Sequence, residues 1–198
     1  MSEHGTSAGP SHTSRQGAHP VAEQDDLFSP RRVHLPAAPA RGRIIIPEAV
    51  AHATVTALRG FYGPDGRHEG IVFWAGRREA LDQLIAAAVV PAAVHGTEFV
   101  HVPAQAVGRA ASAARRSRLA ILAQVHSHPT SRTDHSEGDD RMVLLPYEGM
   151  FSIVVASYGD GGVTSRDGAG IHQFQDDRWV KVSDADEAVV VAPSVMYP

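Results

Sequence analysis

The chain has 198 residues, 43% of them hydrophobic, with a formal net charge of -4 and no cysteine. This is enough apolar material for one ordinary domain with its own core, and it excludes a chain disordered throughout, disulfides, thiolate metal ligands and cysteine nucleophiles. There is no basic excess, which argues against nucleic acid as the main partner; no apolar run approaches a membrane span and the opening stretch MSEHGTSAGPSHTSRQG has no signal-peptide core, so a soluble, cytoplasmic protein is expected.

Residues 1–40 are rich in Ser, Gly, His and Pro without an apolar period, and read as a disordered tail. His4, His12, His19 and His34 match no site template there and read as solvated side chains. Removing this tail is expected to leave stability nearly unchanged. A strand is expected over 43–46, then a helix to about Arg59, with Pro47 in its first turn and Gly60 placed to end it. Gly63, Pro64, Asp65 and Gly66 make a turn. Glu69 then opens EGIVFWAG, a buried strand closed by Gly76. Residues 85–90, stopped by Pro91, are a strand or a helix end. A short strand over 99–102 precedes an Ala-rich helix over 103–118. Arg115, Arg116 and Arg118 at its end read as solvated cations, which a helix C-terminus favours.

The apolar run 119–125 is a buried strand, and it leads straight into HSHPTSRTDHSEGDD. Residues two apart on a strand share a side, so His126 and His128 present both imidazoles to one site, and Pro129 ends the strand. Ser136 opens an S-x-x-D that closes at Asp139. Two His and one Asp make three ligands with a fourth position left for water, which is the arrangement of a catalytic zinc. Taken singly, each piece has a plainer meaning. The S-x-x-D is a capping box variant with Ser136 as N-cap, and two histidines at a strand end can simply be hydrogen-bonded imidazoles. Two other zinc patterns fail: His68 and Glu69 begin an H-E-x-x-H whose fifth position is Val72, and there is no P-C-x-x-C.

Beyond the motif a short helix is expected over 139–145, a buried strand over 151–157, a Gly- and Asp-rich loop over 158–170, and two strands, 171–174 and 178–182, around a turn at Asp176 and Asp177. The organisation read from this is a tail over 1–40, one domain over 41–183, and an apolar C-terminal tail over 184–198 that either docks on the domain or stays loose. No internal repeat is present.

Taken together, H-x-H-P, six residues, S-x-x-D, and an upstream Glu at the start of a buried strand resemble the JAMM (JAB, MPN) metalloprotease family, over about residues 44–182. The resemblance implies an α/β fold: a single domain with a mixed, largely antiparallel sheet flanked by helices, an MPN/cytidine-deaminase-like sandwich. It implies Zn2+ held by His126, His128 and Asp139. Glu69 would be the base that takes the proton of water, with Glu79 and Glu98 as alternatives, and Ser136 would hold the developing oxyanion. Ile71 and Phe73 share the face of Glu69 and would raise its pKa. Asp134, His135 and Asp140 read as loop residues or supporting partners of the ligands. The implied activity is zinc-dependent hydrolysis of peptide or isopeptide bonds after the C-terminal tail of a ubiquitin-like or sulfur-carrier-like protein. That tail would end in Gly-Gly, in a channel walled by 77–82 and 158–170. Two further readings stay open: a non-catalytic scaffold of the same fold, and a RadC-like protein associated with DNA repair. The RadC-like branch usually has Ser-Gly after H-x-H-P and Pro before the Ser, and the TSRTDH loop has neither.

Overall fold

A computed structural model describes residues 33–142 and 146–194 of the protein. The expected disorder of 1–32, the end of the helix expected over 139–145, and residues 195–198 lie outside the described residues. The chain enters through β1 (Ala37–Ala38) and β2 (Ile44–Pro47), and Pro47 turns directly into α1 (Glu48–Arg59). Ala51, Thr54 and Leu58 recur at helical spacing and are buried. Thr54 satisfies its hydroxyl within the helix by donating to the Val50 carbonyl at 2.8 Å, and accepts the Trp74 indole N–H at 2.8 Å. Gly60 ends α1 as expected, but in a right-handed conformation, with its N–H donating to the Ala57 carbonyl and the Phe61 N–H to that of Leu58.

A small hairpin, β3 (Tyr62–Gly63) and β4 (Gly66–Arg67), precedes the long strands β5 (Ile71–Glu79) and β6 (Asp82–Val89). The 85–90 run is therefore a strand. A second small hairpin, β7 (Val94–His95) and β8 (Val100–His101), leads to α2 (Ala104–Arg116) and to β9 (Ala120–Ser127). Then come α3 (Glu137–Met142), β10 (Phe151–Val155), β11 (Gly170–Gln175), β12 (Arg178–Val182), α4 (Ala185–Ala188) and β13 (Val189–Ala192). Asp176 and Asp177 both take positive φ between β11 and β12, the backbone of a two-residue hairpin turn.

One nine-stranded sheet carries the domain, in the order β1-β12-β11-β10-β9-β5-β6-β2-β13. It is mixed. β5 runs antiparallel to β6 and β9, and β11 to β10 and β12; β9 with β10, β2 with β6 and the two edge strands pair in parallel. The period-two alternation of β5 splits the core. Val72 and Trp74 pack under α1 with Ile44, Leu58, Val125 and Ile153. Ile71 and Phe73 pack on the other side, with Val100, Val102, Ala106 and Ala110 of β8 and α2.

Three boundaries differ from the sequence reading. Gly76 does not close its strand, which continues to Glu79. Instead it sits at a bulge, where a Cβ would lie 2.1 Å from the Leu84 carbonyl oxygen, so the glycine permits a close approach within the sheet. Residues 77–82 are consequently the hairpin tip of β5 and β6. They lie at the end of β5 remote from His126, because Ile71 is the partner of His126 while Gly76 is that of Ala120. They cannot wall a channel at the motif. Finally, the sheet takes in part of each expected tail, and of the two readings left open for the C-terminal segment the structure shows docking. Ala37–Ala38 pairs with β12, and Val189–Ala192 docks as an edge strand on β2 because Ala188 and Val189 bury their side chains in the core.

The segment 33–40 is tied down by main-chain bonds: Val33 N–H to the His135 carbonyl, Lys181 N–H to Pro36 and Ser183 N–H to Ala38, each at 2.9 Å. Ala40 N–H adds a bond to Asp184 Oδ1 at 2.7 Å. At roughly 1 kcal/mol per bond and about 2–4 °C of Tm per kcal/mol, a variant lacking residues 1–40 is predicted to melt roughly 10 °C below one lacking 1–32. Thermal denaturation of the two truncations checks this. Equal Tm values would show that 33–40 adds nothing.

Candidate metal centre

β9 lies in the middle of the sheet, and His126 near its end faces Ile71 on β5 and Val154 on β10. Its side chain therefore points to the α2 side. The ladder runs on past the strand, as His128 donates its N–H to the Val155 carbonyl at 2.9 Å. His126, His128 and Asp139 are all buried, at 3%, 2% and 4% exposure. The Nε2 atoms of the two imidazoles are 3.2 Å apart, and Asp139 places Oδ1 3.2 Å from His126 Nε2 and Oδ2 3.2 Å from His128 Nε2. A tetrahedral metal ion bound at about 2.0–2.1 Å separates its ligand atoms by about 3.3 Å, close to the spacing of the two nitrogens; Asp139 meets each nitrogen with a different oxygen, and one ligand atom from each of the three residues lies within 4.8 Å of the others. This is the one group of its kind among the described residues.

The protonation pattern suits a cation. His128 Nδ1 lies 3.0 Å from the Arg132 carbonyl, which can only accept, so Nδ1 carries a proton and Nε2 is the nitrogen that faces Asp139, where a metal ion would displace any proton. Burial by itself would raise the Asp139 carboxyl. The charges of His126 and His128 and their hydrogen bonds outweigh it and hold the group well below the usual carboxylate range.

The S-x-x-D forms a helix cap with the same carboxylate that faces the two histidines. Ser136 N–H donates to Asp139 Oδ2 at 2.6 Å, and Asp139 N–H donates to Ser136 Oγ at 3.1 Å, which is the reciprocal capping box at the start of α3. The cap therefore fixes the rotamer of Asp139. It also leaves the Ser136 hydroxyl proton available, since Oγ acts here as an acceptor.

Glu69 is buried, at 5% exposure, and lies just before β5. Its N–H donates to the Gly96 carbonyl at 2.8 Å. Gly70 is clasped to Ser127 by two bonds, Ser127 N–H to the Gly70 carbonyl at 3.0 Å and Gly70 N–H to Ser127 Oγ at 2.9 Å. Continuing the β5–β9 register through this clasp sets Glu69 across from His128, on the side of Ile71 and His126. Glu79 is in the remote hairpin opposite Asp82, and Glu98 is exposed between β7 and β8. Position thus separates Glu69 from both alternatives. The 158–170 loop does lie against the motif: Tyr158 N–H donates to the His128 carbonyl at 2.8 Å, and Gly170 passes so near the Thr133 carbonyl oxygen that a Cβ would sit 1.9 Å from it.

Two features were not legible in the sequence. His135, read from the sequence as a loop residue or a supporting partner of the ligands, is fully buried; Nδ1 is 2.7 Å from Asp140 Oδ1 and Nε2 is 3.0 Å from Ser152 Oγ. Its ring stacks on that of His172, with centroids 4.0 Å apart. Only its place beside Ser136 hinted at this. The second feature is the left-handed backbone at Ser157 and Tyr158, for which neither residue type gives a signal.

The buried imidazoles make stability depend on pH. Burial pushes His135 from 6.5 down to about 3, and His172 well below its ordinary value. Between the two values the unfolded chain binds protons that the folded chain does not, so stability falls as pH drops. The depressed Asp139 carboxyl acts in the same direction at the lower end of that range. Asp140, raised by burial and by the Asp139 charge from 3.8 to about 6, opposes it, because its contribution is lost as pH rises through that interval. Two histidines outweigh one aspartate. The metal-free protein is predicted to lose thermal stability steadily from about pH 6.5 to about pH 4. Melting curves in chelator check this, and a flat Tm would show that His135 and His172 take up protons at no cost.

Comparison with known proteins bears on the same residues. Residues 63–166 match the family of prokaryotic homologs of the JAB domain, a span that includes Glu69 and the whole His126 to Asp139 motif. A probable metalloprotease of Sinorhizobium fredii is 34% identical over 110 residues, covering 54% of this chain and 67% of that protein. Among solved structures, a protein from Desulfitobacterium hafniense shares the fold with a TM-score of 0.57, at 14% identity over 77% of this chain and 94% of that one. A JAB1/MPN domain protein from Archaeoglobus fulgidus aligns with a TM-score of 0.40, at 16% identity over 75% of this chain and 98% of that one. With the family match covering more than half of its length, the chain belongs to the prokaryotic branch of the JAB (JAMM, MPN) domain family.

Proposed function

We propose that the protein is a zinc-dependent peptidase or isopeptidase in which His126, His128 and Asp139 hold the metal. The observation that carries this is the buried cluster of His126 Nε2, His128 Nε2 and the Asp139 carboxylate, with one donor atom from each residue within 4.8 Å of the others and His128 oriented by the Arg132 carbonyl. A bound zinc would supply Lewis acidity, activating a water near neutral pH and polarising the carbonyl under attack. Glu69, across from His128, takes the proton of the attacking water and returns it to the leaving amine. Ser136, whose hydroxyl already accepts from Asp139 N–H, turns its own proton to the oxyanion that develops on the carbonyl oxygen.

The substrate we infer is the extended C-terminal tail of a ubiquitin-like or sulfur-carrier-like protein, ending in Gly-Gly. An extended tail gains main-chain hydrogen bonds by strand addition, and glycine tolerates the closest approach of a backbone. The 158–170 loop forms one wall of the channel. The β7–β8 hairpin, tied to Glu69 through Gly96, replaces 77–82 as the other. No helix among the described residues is long and apolar enough to cross a membrane, and we place the activity in the cytoplasm. Nucleic acid is not the partner we propose, given the net charge of -4.

His126→Ala and His128→Ala are predicted to lose zinc, measured by elemental analysis. Glu69→Gln is predicted to keep zinc and fold but to lose roughly 10²–10⁴ in hydrolysis rate, the usual contribution of a positioned base. Full zinc retention in both histidine variants would sink the metal assignment, and wild-type turnover by Glu69→Gln would remove Glu69 as the base.

A panel of ubiquitin-like proteins fused through their C-termini to a reporter tests the substrate. Versions ending in Gly should be cut well ahead of versions with that Gly changed to Val. Equal cleavage would contradict a narrow channel; no cleavage with zinc bound would favour a scaffold.

A further inference from the structure

We propose that His135 is a positioning residue for the metal site: by holding the first turn of α3 on the sheet, it orients Asp139 and sets the affinity for zinc. The inference rests on the reading of His126, His128 and Asp139 as metal ligands, and it concerns a residue outside that set.

α3 is six residues long. A helix of that length does not persist by itself, so its attachment to the rest of the fold decides where its side chains point. The capping box fixes Asp139 relative to Ser136 but not the turn relative to the sheet. His135 supplies that link, and its hydrogen bonds have one consistent direction. Gln124 Nε2–H donates to Ser152 Oγ at 3.1 Å. Ser152 O–H then donates to His135 Nε2 at 3.0 Å, and His135 Nδ1–H donates to Asp140 Oδ1 at 2.7 Å. The chain starts on β9, the strand of His126, crosses β10, and ends on the residue next to Asp139. At its other end the His135 peptide is fastened by Val33 N–H at its carbonyl, at 2.9 Å.

Packing alone does not call for an imidazole here. The ring stacks on His172 and meets the edge of Trp179 at 5.3 Å between centroids, a niche that an apolar ring would also fill. What the imidazole adds is a pair of polar atoms at opposite edges, one for the sheet and one for the helix. A ring buried to 0% exposure with both nitrogens bonded is rigid. Its hold on Asp140 therefore fixes the main chain that carries Asp139, whose Oδ1 then rests 3.2 Å from His126 Nε2. His135 does not belong to the ligand triangle, and its ring centroid is 6.3 Å from that of His126.

The two halves of the link can be separated by substitution. In His135→Asn the side-chain amide takes the place of Nδ1 and keeps the donor to Asp140. In His135→Gln it takes the place of Nε2, keeps the contact to Ser152 and loses Asp140. Zinc affinity is measured by competition with a chromophoric chelator, the coordination by the absorption of the cobalt-substituted protein, and the fold by the Tm of the metal-free protein. His135→Gln and Asp140→Ala are expected to weaken zinc binding about 10–100-fold, the usual loss for a partner that orients a ligand, with a shifted cobalt spectrum. His135→Asn should stay within about threefold of the parent, and the double variant His135→Gln/Asp140→Ala should be no weaker than either single one. Asp140, a quarter exposed on the helix, gives a variant that folds even where a change at the buried histidine does not. Unchanged affinity in His135→Gln and Asp140→Ala would overturn the proposal and leave the ligand assignment standing. So would equal losses in the Asn and Gln variants that follow the Tm, which would make His135 a space-filling residue. A parent protein that binds no zinc would overturn the ligand assignment, and this proposal with it.

Discussion

Asp139 is a carboxylate almost entirely withdrawn from water, and the local structure is arranged around keeping it charged. An isolated buried carboxylate takes up a proton rather than bear the loss of hydration. Here the amide of Ser136 and two imidazoles face its oxygens. Each of these is fixed by something else: His128 by the Arg132 carbonyl, His126 by its place in the central strand, Ser136 by the turn it caps. Such a constellation is costly if any member is missing, since the remaining groups are then buried and unpaired. It also gathers a carboxylate and two imidazole nitrogens at one point, where a cation would take the place of the protons they share.

That arrangement depends on sheet register. β9 is held on both sides, antiparallel to β5 and parallel to β10. A slip of one residue on either side would turn His126 into the α1 core and Val125 toward the site. The alternation of β5 reinforces the choice, because Val72 and Trp74 fill one core while Ile71 and Phe73 fill the other. The same register brings Glu69 opposite His128. The base we propose and the two histidines are therefore positioned by one set of backbone hydrogen bonds rather than by independent loops.

The sequence carried most of the site because its residues are of kinds that seldom gather by chance at that spacing. H-x-H-P places two imidazoles by the period of a strand, and S-x-x-D places one carboxylate by the geometry of a helix cap. Both are local rules. The features that escaped depend on distant partners. Gly76 reads as a strand terminus, whereas it answers the close approach of Leu84 on the neighbouring strand. The 77–82 segment looked like a channel wall until pairing showed which end of β5 it occupies. Residues 37–38 and 189–192 read as tails because edge strands of a few residues have no period to detect. His135 reads as a loop residue or a supporting partner of the ligands, and its burial is what escaped. An isolated histidine in a polar loop carries no mark of burial, and only the fold supplies Ser152, His172 and Trp179 around it.

The backbone at Ser157 and Tyr158 shows how the opposite side of the site is held. Two successive non-glycine residues at φ 53° and 56° are strained, at roughly 1–3 kcal/mol each, and persist only where surrounding bonds over-determine them. Those bonds are present. Ser157 N–H donates to the Thr130 carbonyl and Tyr158 N–H to that of His128, so both amides close on the turn that follows the second histidine. Arg67 Nη2 donates to the Ser157 and Tyr158 carbonyls at 3.1 Å each, and its guanidinium is paired with Asp160. The Tyr158 hydroxyl reaches the Thr97 carbonyl at 3.0 Å, next to the Gly96 carbonyl that receives Glu69 N–H. Tyr158 therefore spans from the His128 turn to the hairpin that supports Glu69, and Arg67 braces it from the chain segment that leads into Glu69. A relaxed loop at this position would leave the space between Glu69 and His128 free to vary. The strained one, tied at both ends, fixes it.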